Sequence, residues 1–176
     1  MDSVFSNVDY NSNDGMLTYI WGPALWHSLH IISFNYPVKP TKEQQKYYYN
    51  FFINLKNILP CKYCRENYVK NLELLPLDNK VLKNRESFSR WVYKLHELVN
   101  KHLNKKSNLK YEEVRDRYEV FRSRCLIDPK LNKKEIKEKG CTNSLYGIKS
   151  KCIINIVPKD SKKSSFIIDN KCKLER

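Results

Sequence analysis

The chain is poor in the residues that punctuate loops. Four glycines and seven prolines in 176 residues make a loop-rich all-β fold the less expected class, because tight turns draw heavily on those two residue types. Long apolar runs are missing as well. The stretch Trp21 to Leu29 already contains His27 and Ser28, so nothing approaches the ~20 apolar residues that a membrane-spanning helix needs. Residues 1–14, MDSVFSNVDYNSND, have no positive leader and no apolar segment, so a cleaved secretory signal is not expected and the protein is expected to be soluble. Three Trp, seven Phe and twelve Tyr argue for a packed core in spite of a mean hydropathy of −0.67. The length suits one domain, or one small domain with an appendage.

Thirty-three basic residues against nineteen acidic ones leave a net charge of +14. The excess is even: residues 1–125 carry 20 basic and 13 acidic groups, residues 126–176 carry 13 and 6, so each part is +7. Lys outnumbers Arg by 25 to 8, and Asn numbers 18, a bias that resembles coding by an AT-rich genome. The charge is therefore not taken as a sign of a nucleic-acid partner, and no membrane partner is expected.

Periodicity predicts a mainly α fold, a four-helix bundle plus a short fifth helix. Residues 1–17 read as a loose polar arm. A first helix opens at Pro23, a residue suited to a first helical turn, carries Leu25, Trp26, Leu29, His30 and Ile32 at helical spacing, and closes at Tyr36-Pro37. Thr41 with Gln44 has the form of a capping box and opens a second helix to about Leu59, with Tyr48, Phe51, Phe52, Leu55 and Ile58 on one stripe. Pro60 breaks it, and a third helix starts at Cys61-Lys62-Tyr63-Cys64. A fourth, about Arg85 to Asn104, places Phe88, Trp91, Val92, Leu95, Val99 and Leu103 on a 3.6-residue period. The fifth spans about Lys110 to Arg124. Short connections of this kind make an up-and-down bundle over residues 18–125. Residues 126–176 read as a separate basic, Cys-bearing appendage, with short strands at Cys152 to Val157 and Phe166 to Ile168 on the strength of their β-branched residues.

Six cysteines, at positions 61, 64, 125, 141, 152 and 172, carry the chemistry. Three-residue spacing lets Cys61 and Cys64 bridge across one helical turn. Backbone N–H groups and the positive end of the helix dipole stabilise a thiolate at such a position, and Lys62 and Arg65 act the same way. Redox activity, half of a zinc site and an inert disulfide all fit that spacing. Zinc needs two more ligands, usually a second close pair, whereas the later cysteines lie 11 to 20 residues apart and His96 and His102 do not share a helical face. A thioredoxin-like site needs strand–helix–strand patterning around the pair, and the flanks here read as helix. Trp26 and His30 are four apart on one face, as are His96 and Asn100, and Trp91 and Tyr118 add aromatic surface. Bundles build cofactor pockets from such inward-pointing groups.

Together these motifs carry a resemblance. Trp21-Gly22-Pro23-Ala24-Leu25-Trp26-His27-Ser28-Leu29-His30 with Tyr36-Pro37, then Cys61-Lys62-Tyr63-Cys64, then Phe88 to Trp91 with His96-Glu97-Leu98-Val99-Asn100, Leu103 and Lys105, resemble in order and interval the Erv/ALR flavin-linked sulfhydryl oxidases, including those of large DNA viruses. The resemblance implies a bundle that binds FAD, oxidises protein dithiols to disulfides and reduces oxygen to hydrogen peroxide, as a homodimer. It implies that Cys64 is the thiol next to the flavin and Cys61 the interchange thiol, and that Gly22, Trp26, His30, Tyr36, Trp91, His96, Asn100, Lys105 and Tyr118 hold the cofactor, with no metal. A viral member would work in the host cytoplasm or the virion. The chain departs from the pattern at Pro23, where the family commonly has Arg, at Glu97 in place of Asn, and at Tyr118 in place of Trp. Tyr93 and Tyr111 stand where the family's structural disulfide would be. The resemblance also implies a second, mobile cysteine pair, and spacing does not single it out among Cys125, Cys141, Cys152 and Cys172.

Overall fold

A computed structural model of the chain describes residues 6–124, 140–146, 148–163 and 167–172. Expectations that fall on residues 1–5, on 126–139, on Cys125 and on Phe166 lie outside the described residues. The chain divides into two compact units, Met1–Ser107 and Asn108–Arg176. The sequence places its boundary later, near residue 125.

The first unit holds α1 (Asn7–Asn11), α2 (Thr18–Phe34), α3 (Lys42–Ile58), α4 (Lys62–Leu74) and α5 (Arg85–His102). Local chemistry sets these limits. Thr41 accepts the Gln44 N–H at 3.1 Å while the Gln44 side chain accepts the Thr41 N–H at 2.9 Å, the reciprocal cap expected at the start of α3. Leu59 is extended (φ −54°, ψ 130°) because the ring of Pro60 disfavours helical backbone before it, and α3 stops there. Asn84 caps α5 by accepting the Ser87 N–H at 2.9 Å.

The start of the chain departs from expectation in two places. α2 begins at Thr18 rather than at Pro23, which lies inside the helix. Trp21 secures the earlier start, since its indole N–H donates to the Met16 carbonyl at 3.0 Å, and Pro23 forfeits one helical hydrogen bond. The N-terminal arm is not loose throughout. Ser6 and Asp9 cap the single turn of α1, and residues 13–16 are fastened to the chain at Cys61, as described below.

Within this unit α2 packs on α5, α3 on α4, and α4 on α5. Aromatic rings tile the centre. Phe52 and Phe88, both 0 % exposed, meet edge to face at 5.0 Å, and Tyr36 and Tyr48 meet the same way at 4.7 Å, the arrangement the ring quadrupole favours. Three buried ring tips find carbonyls: Tyr36 Oη donates to Leu82, Tyr68 Oη to Phe52 and Trp91 Nε1 to Leu75, at 2.8, 2.9 and 3.1 Å. The stripe of α3 is narrower than expected. Phe52 and Leu55 are buried, whereas Phe51 and Ile58 are exposed.

The second unit holds α6 (Tyr111–Glu119) and an antiparallel pair, β1 (Ser123–Arg124) with β2 (Asn143–Ser144), in which Ser123 faces Ser144. α6 is shorter than the expected fifth helix. Arg122 grips the Glu119 carboxylate with two nitrogens, at 2.6 and 2.7 Å, and the chain turns away there. The strand expected at 152–157 is not formed, nor does 167–168 make one. Ile153, Ile154 and Ile156 are exposed; β-branched residues favour strands only where a pleated neighbour receives them, and none does here.

Replacement of a ring that fills the centre should cost far more than replacement of one on the rim. Phe88→Ala is expected to lower the unfolding free energy by about 3–5 kcal/mol, and Phe51→Ala by less than about 1 kcal/mol, as read from urea denaturation midpoints.

Candidate redox site

Pro60 and the start of α4 fix the cysteine pair. Cys61 is extended (φ −163°, ψ 122°) and stands as the residue that caps α4, one position earlier than the expected first-turn placement. Its Sγ accepts the Cys64 backbone N–H at 3.2 Å, so the sulfur lies over the positive end of the helix. Cys61 and Cys64 form a disulfide with Cα atoms 5.1 Å apart, within the span that such a bond requires. Both cysteines are half-buried, and Lys62 and Tyr63 beside them are exposed.

Residues 13–16 lie across this pair, a feature absent from the sequence expectations. Met16 N–H donates to the Pro60 carbonyl at 2.7 Å and Lys62 N–H to the Asp14 carbonyl at 2.8 Å, with Gly15 bridged to Cys61 in antiparallel fashion. Arg65 holds the far end, donating to the carbonyls of Leu59 at 2.7 Å and Asn13 at 3.1 Å. Gly15 has φ +112°, and a Cβ there would sit 2.5 Å from the Pro60 oxygen. The Asp14-Gly15 dipeptide, a turn signature, was the available signal.

A second cluster joins α2 to α5. His30 Nε2 and His96 Nδ1 are 3.0 Å apart, so one donates and the other accepts. Trp26 stacks on His96 with ring centres 4.0 Å apart and planes 5° from parallel. Burial pushes the His30 imidazole down from its ordinary 6.5 to about 3, with the other histidines adding to the effect. Burial likewise lowers His96 to about 4. Both rings are therefore neutral near pH 7. Trp26 and Cys64 border the same buried core cluster. Asn100 donates to Glu97 at 3.0 Å, and Lys105 sits with its ammonium 5.0 Å from the centre of the Tyr19 ring.

The remaining expected cofactor residues are spread more widely. Tyr36 has no exposed surface and its hydroxyl donates to the Leu82 carbonyl. Trp91 is 2 % exposed and packs against Phe88 and Phe52; it belongs to the core as well. Tyr118 lies on α6 in the second unit, edge-on to Phe121, with its hydroxyl pushed up to about 12 by burial. Gly22 is informative. A glycine inside a helix costs roughly 1 kcal/mol relative to alanine, yet a Cβ at Gly22 would meet nothing within 4 Å. Among the described residues no packing calls for the missing side chain, and the open space fits the close approach of a flat ligand beside Trp26 and His96.

Among the described residues no group of three or more His, Cys, Asp or Glu side chains could hold a metal ion. Cys141 is disulfide-bonded, whereas Cys152 and Cys172 are free thiols. No helix among the described residues is long and apolar enough to cross a membrane.

A helical bundle with a capping disulfide at one helix and a neutral histidine pair between two others defines a class, and comparison with known proteins names it. The Erv1 / Alr family model matches residues 23–119, and the chain belongs to that family. It is 38% identical over 94 residues to a protein of Acanthamoeba polyphaga mimivirus named "Probable FAD-linked sulfhydryl oxidase", a match that covers 53% of this chain and 65% of the relative. It is 32% identical over 99 residues to an FAD-linked sulfhydryl oxidase of African swine fever virus, covering 56% of this chain and 80% of that one. The solved FAD-binding domain of Erv1 from Saccharomyces cerevisiae superimposes with a TM-score of 0.54 at 26% identity, over 58% of this chain and 94% of that domain.

The depressed histidines predict a pH dependence. Unfolded imidazoles take up protons below about 6.5, while the folded ones refuse them until about 4 and 3, so the stability present above pH 6.5 is lost as pH falls. The unfolding free energy is expected to drop between pH 6.5 and 4 by up to about 1.4 kcal/mol per pH unit for each histidine. In a His96→Gln variant that slope should shrink, as measured by urea denaturation across the range.

Proposed function

We propose that this chain is an FAD-linked thiol oxidase that introduces disulfide bonds into partner proteins, with Cys61 and Cys64 as its redox pair. The observation that carries the reading is the Cys61–Cys64 disulfide at the N-terminal end of α4, in a bundle of this family. A protein dithiol would meet Cys61 first. Its thiolate attacks the Cys61 sulfur, the Cys61–Cys64 bond breaks, and a mixed disulfide forms with Cys64 released as the thiolate. The second substrate thiol then attacks the substrate sulfur of the mixed disulfide. A substrate disulfide leaves, and the pair is left as a dithiol holding two electrons and two protons.

The chemistry that FAD supplies when bound is acceptance of that electron pair and its delivery to oxygen, which leaves as hydrogen peroxide. The residues that would hold it are Gly22, Trp26, His30, His96, Asn100 and Lys105. Trp26 stacked on His96 offers an aromatic wall, and Gly22 leaves room against α2. The neutral histidines exclude charge from the pocket while they keep one shared proton between His30 Nε2 and His96 Nδ1. Lys105, exposed at the end of the α5 segment, brings positive charge suited to phosphate. Tyr118 joins this set on the resemblance alone, as does a homodimer. The functional unit proposed is residues 18–125, in line with the family match over 23–119.

Two outcomes test the reading. Purified protein should be yellow, and Cys64→Ser should keep the flavin while peroxide production with dithiothreitol falls at least a hundredfold; turnover at the parent rate would remove Cys64 from its role. Gly22→Ala should stabilise the flavin-free chain by about 0.4–1 kcal/mol and yet weaken FAD binding. If the variant bound FAD as tightly as the parent in a fluorescence titration, the open space over Gly22 would not be cofactor space.

A further inference from the structure

The cysteine pair is held from two sides, and only one of them is the helix it caps. The other is the strap of residues 13–16. Two backbone hydrogen bonds, from Met16 to Pro60 and from Lys62 to Asp14, flank Cys61 on either side, with Gly15 bridged to Cys61 itself. The strap is tied down beyond these bonds. Trp21 of α2 donates to the Met16 carbonyl, and Arg65 of α4 donates to the Asn13 carbonyl. Its path needs two residues with positive φ, Asn13 at 54° and Gly15 at 112°. A side chain on Gly15 would collide with backbone, 2.5 Å from the Pro60 oxygen and 2.7 Å from Cys61 Cα. An exposed arm has no reason to accept such backbone geometry for its own sake. What it gains is a fixed Cys61.

We propose that the strap Asn13–Met16 is the positioning element of Cys61, and that it sets how readily the Cys61–Cys64 disulfide is reduced. Antiparallel pairing with Gly15 keeps Cys61 extended, and the extended backbone is what puts its sulfur 3.2 Å from the Cys64 N–H. On reduction that sulfur becomes the thiolate that the N–H and the helix end stabilise. Stabilising the reduced form makes a disulfide a better oxidant. Without the strap Cys61 would sample other conformations, the cap would be lost part of the time, and the pair would resist reduction. This inference rests on the redox reading of the pair and adds residues that neither touch substrate nor cofactor.

Lys62 provides a clean test because it is the first residue of α4. Lys62→Pro removes the N–H that binds Asp14 and places a ring against its carbonyl. Proline is favoured at the first helical position, and the extended Cys61 suits a residue that precedes proline. Lys62→Gln removes the same positive charge but keeps the N–H, so the difference between the two variants isolates the strap. Full-length, flavin-loaded protein is equilibrated without oxygen in glutathione buffers. The reaction followed is Cys61–Cys64 disulfide plus two glutathione thiols giving two cysteine thiols plus glutathione disulfide, with the reduced fraction read by alkylation and mass spectrometry.

The equilibrium constant for reduction is expected to fall about tenfold in Lys62→Pro relative to Lys62→Gln, or about 30 mV towards more negative potential. Gly15→Val should shift it in the same direction. Gly140→Val is the control, since Gly140 also has positive φ (119°) but open space where a Cβ would go, and it should leave the potential unchanged. Agreement of Lys62→Pro with Lys62→Gln within twofold would overturn the strap's role, whatever Gly15→Val does to stability. A parent pair that glutathione cannot reduce at any ratio would instead overturn the redox assignment beneath it.

Discussion

For two cysteines to exchange electron pairs through a bond between them, their Cα atoms must stay within about 4.4–6.8 Å, and one sulfur must remain open to attack. The start of α4 meets both conditions with the cysteines 5.1 Å apart and half-buried. Pro60 ends α3 and forces an extended connection. Cys61 then caps α4 with its own sulfur, and Cys64 falls one turn on, facing back. Remove the stop at Pro60 and a continuous helix would carry Cys61 into its interior, where its N–H and carbonyl are spoken for and its sulfur has no exposed helix end to cover.

The remainder of the first unit is a frame for that corner. The ring cluster of Phe52, Phe88, Trp91 and Tyr36 fixes α3 and α5 and the connection between α4 and α5, and every polar tip in it is satisfied by a backbone carbonyl. Such a core has little freedom to give, which keeps the end of α4 where it is. Where α2 meets α5 the chemistry changes from apolar to polar but neutral. His30 and His96 are kept neutral by burial, with one ring N–H lying between them. A charged pair in that position would repel and would need water; a neutral pair can stand beside Trp26 and leave open space over Gly22. Two different environments thus meet along α5, a sealed ring cluster and a buried neutral histidine pair.

Much of this was legible from residue pattern. Strong periodicity in α3 and α5 and the Thr41–Gln44 cap placed those helices to within a residue or two, because each signal is local. Trp26 and His30 share a face of α2 because i, i+4 spacing puts such groups together whatever the partner helix does, and both meet His96 of α5. What escaped was non-local. The strap depends on hydrogen bonds between residues nearly fifty positions apart, and its only local trace is Asp14-Gly15. The hydrogen bonds that hold Tyr36 and Trp91 end on the carbonyls of Leu82 and Leu75, which no pattern in the sequence marks. The isoleucines near Cys152 carry strand propensity with no strand to pair with, so propensity misled there.

The central claim is that electrons pass from a dithiol through Cys61 and Cys64 to a bound flavin. Stepwise addition of dithiothreitol to the yellow protein under strict exclusion of oxygen tests it directly, by counting electrons against visible absorbance. The account predicts that the flavin band bleaches and that full reduction consumes two dithiothreitol equivalents per flavin, one for the Cys61–Cys64 disulfide and one for the flavin, beyond the equivalent taken up by the disulfide at Cys141, which alkylation and mass spectrometry count separately. A band that dithiothreitol leaves untouched while dithionite bleaches it would mean that the pair and the flavin do not communicate, and the account would be contradicted.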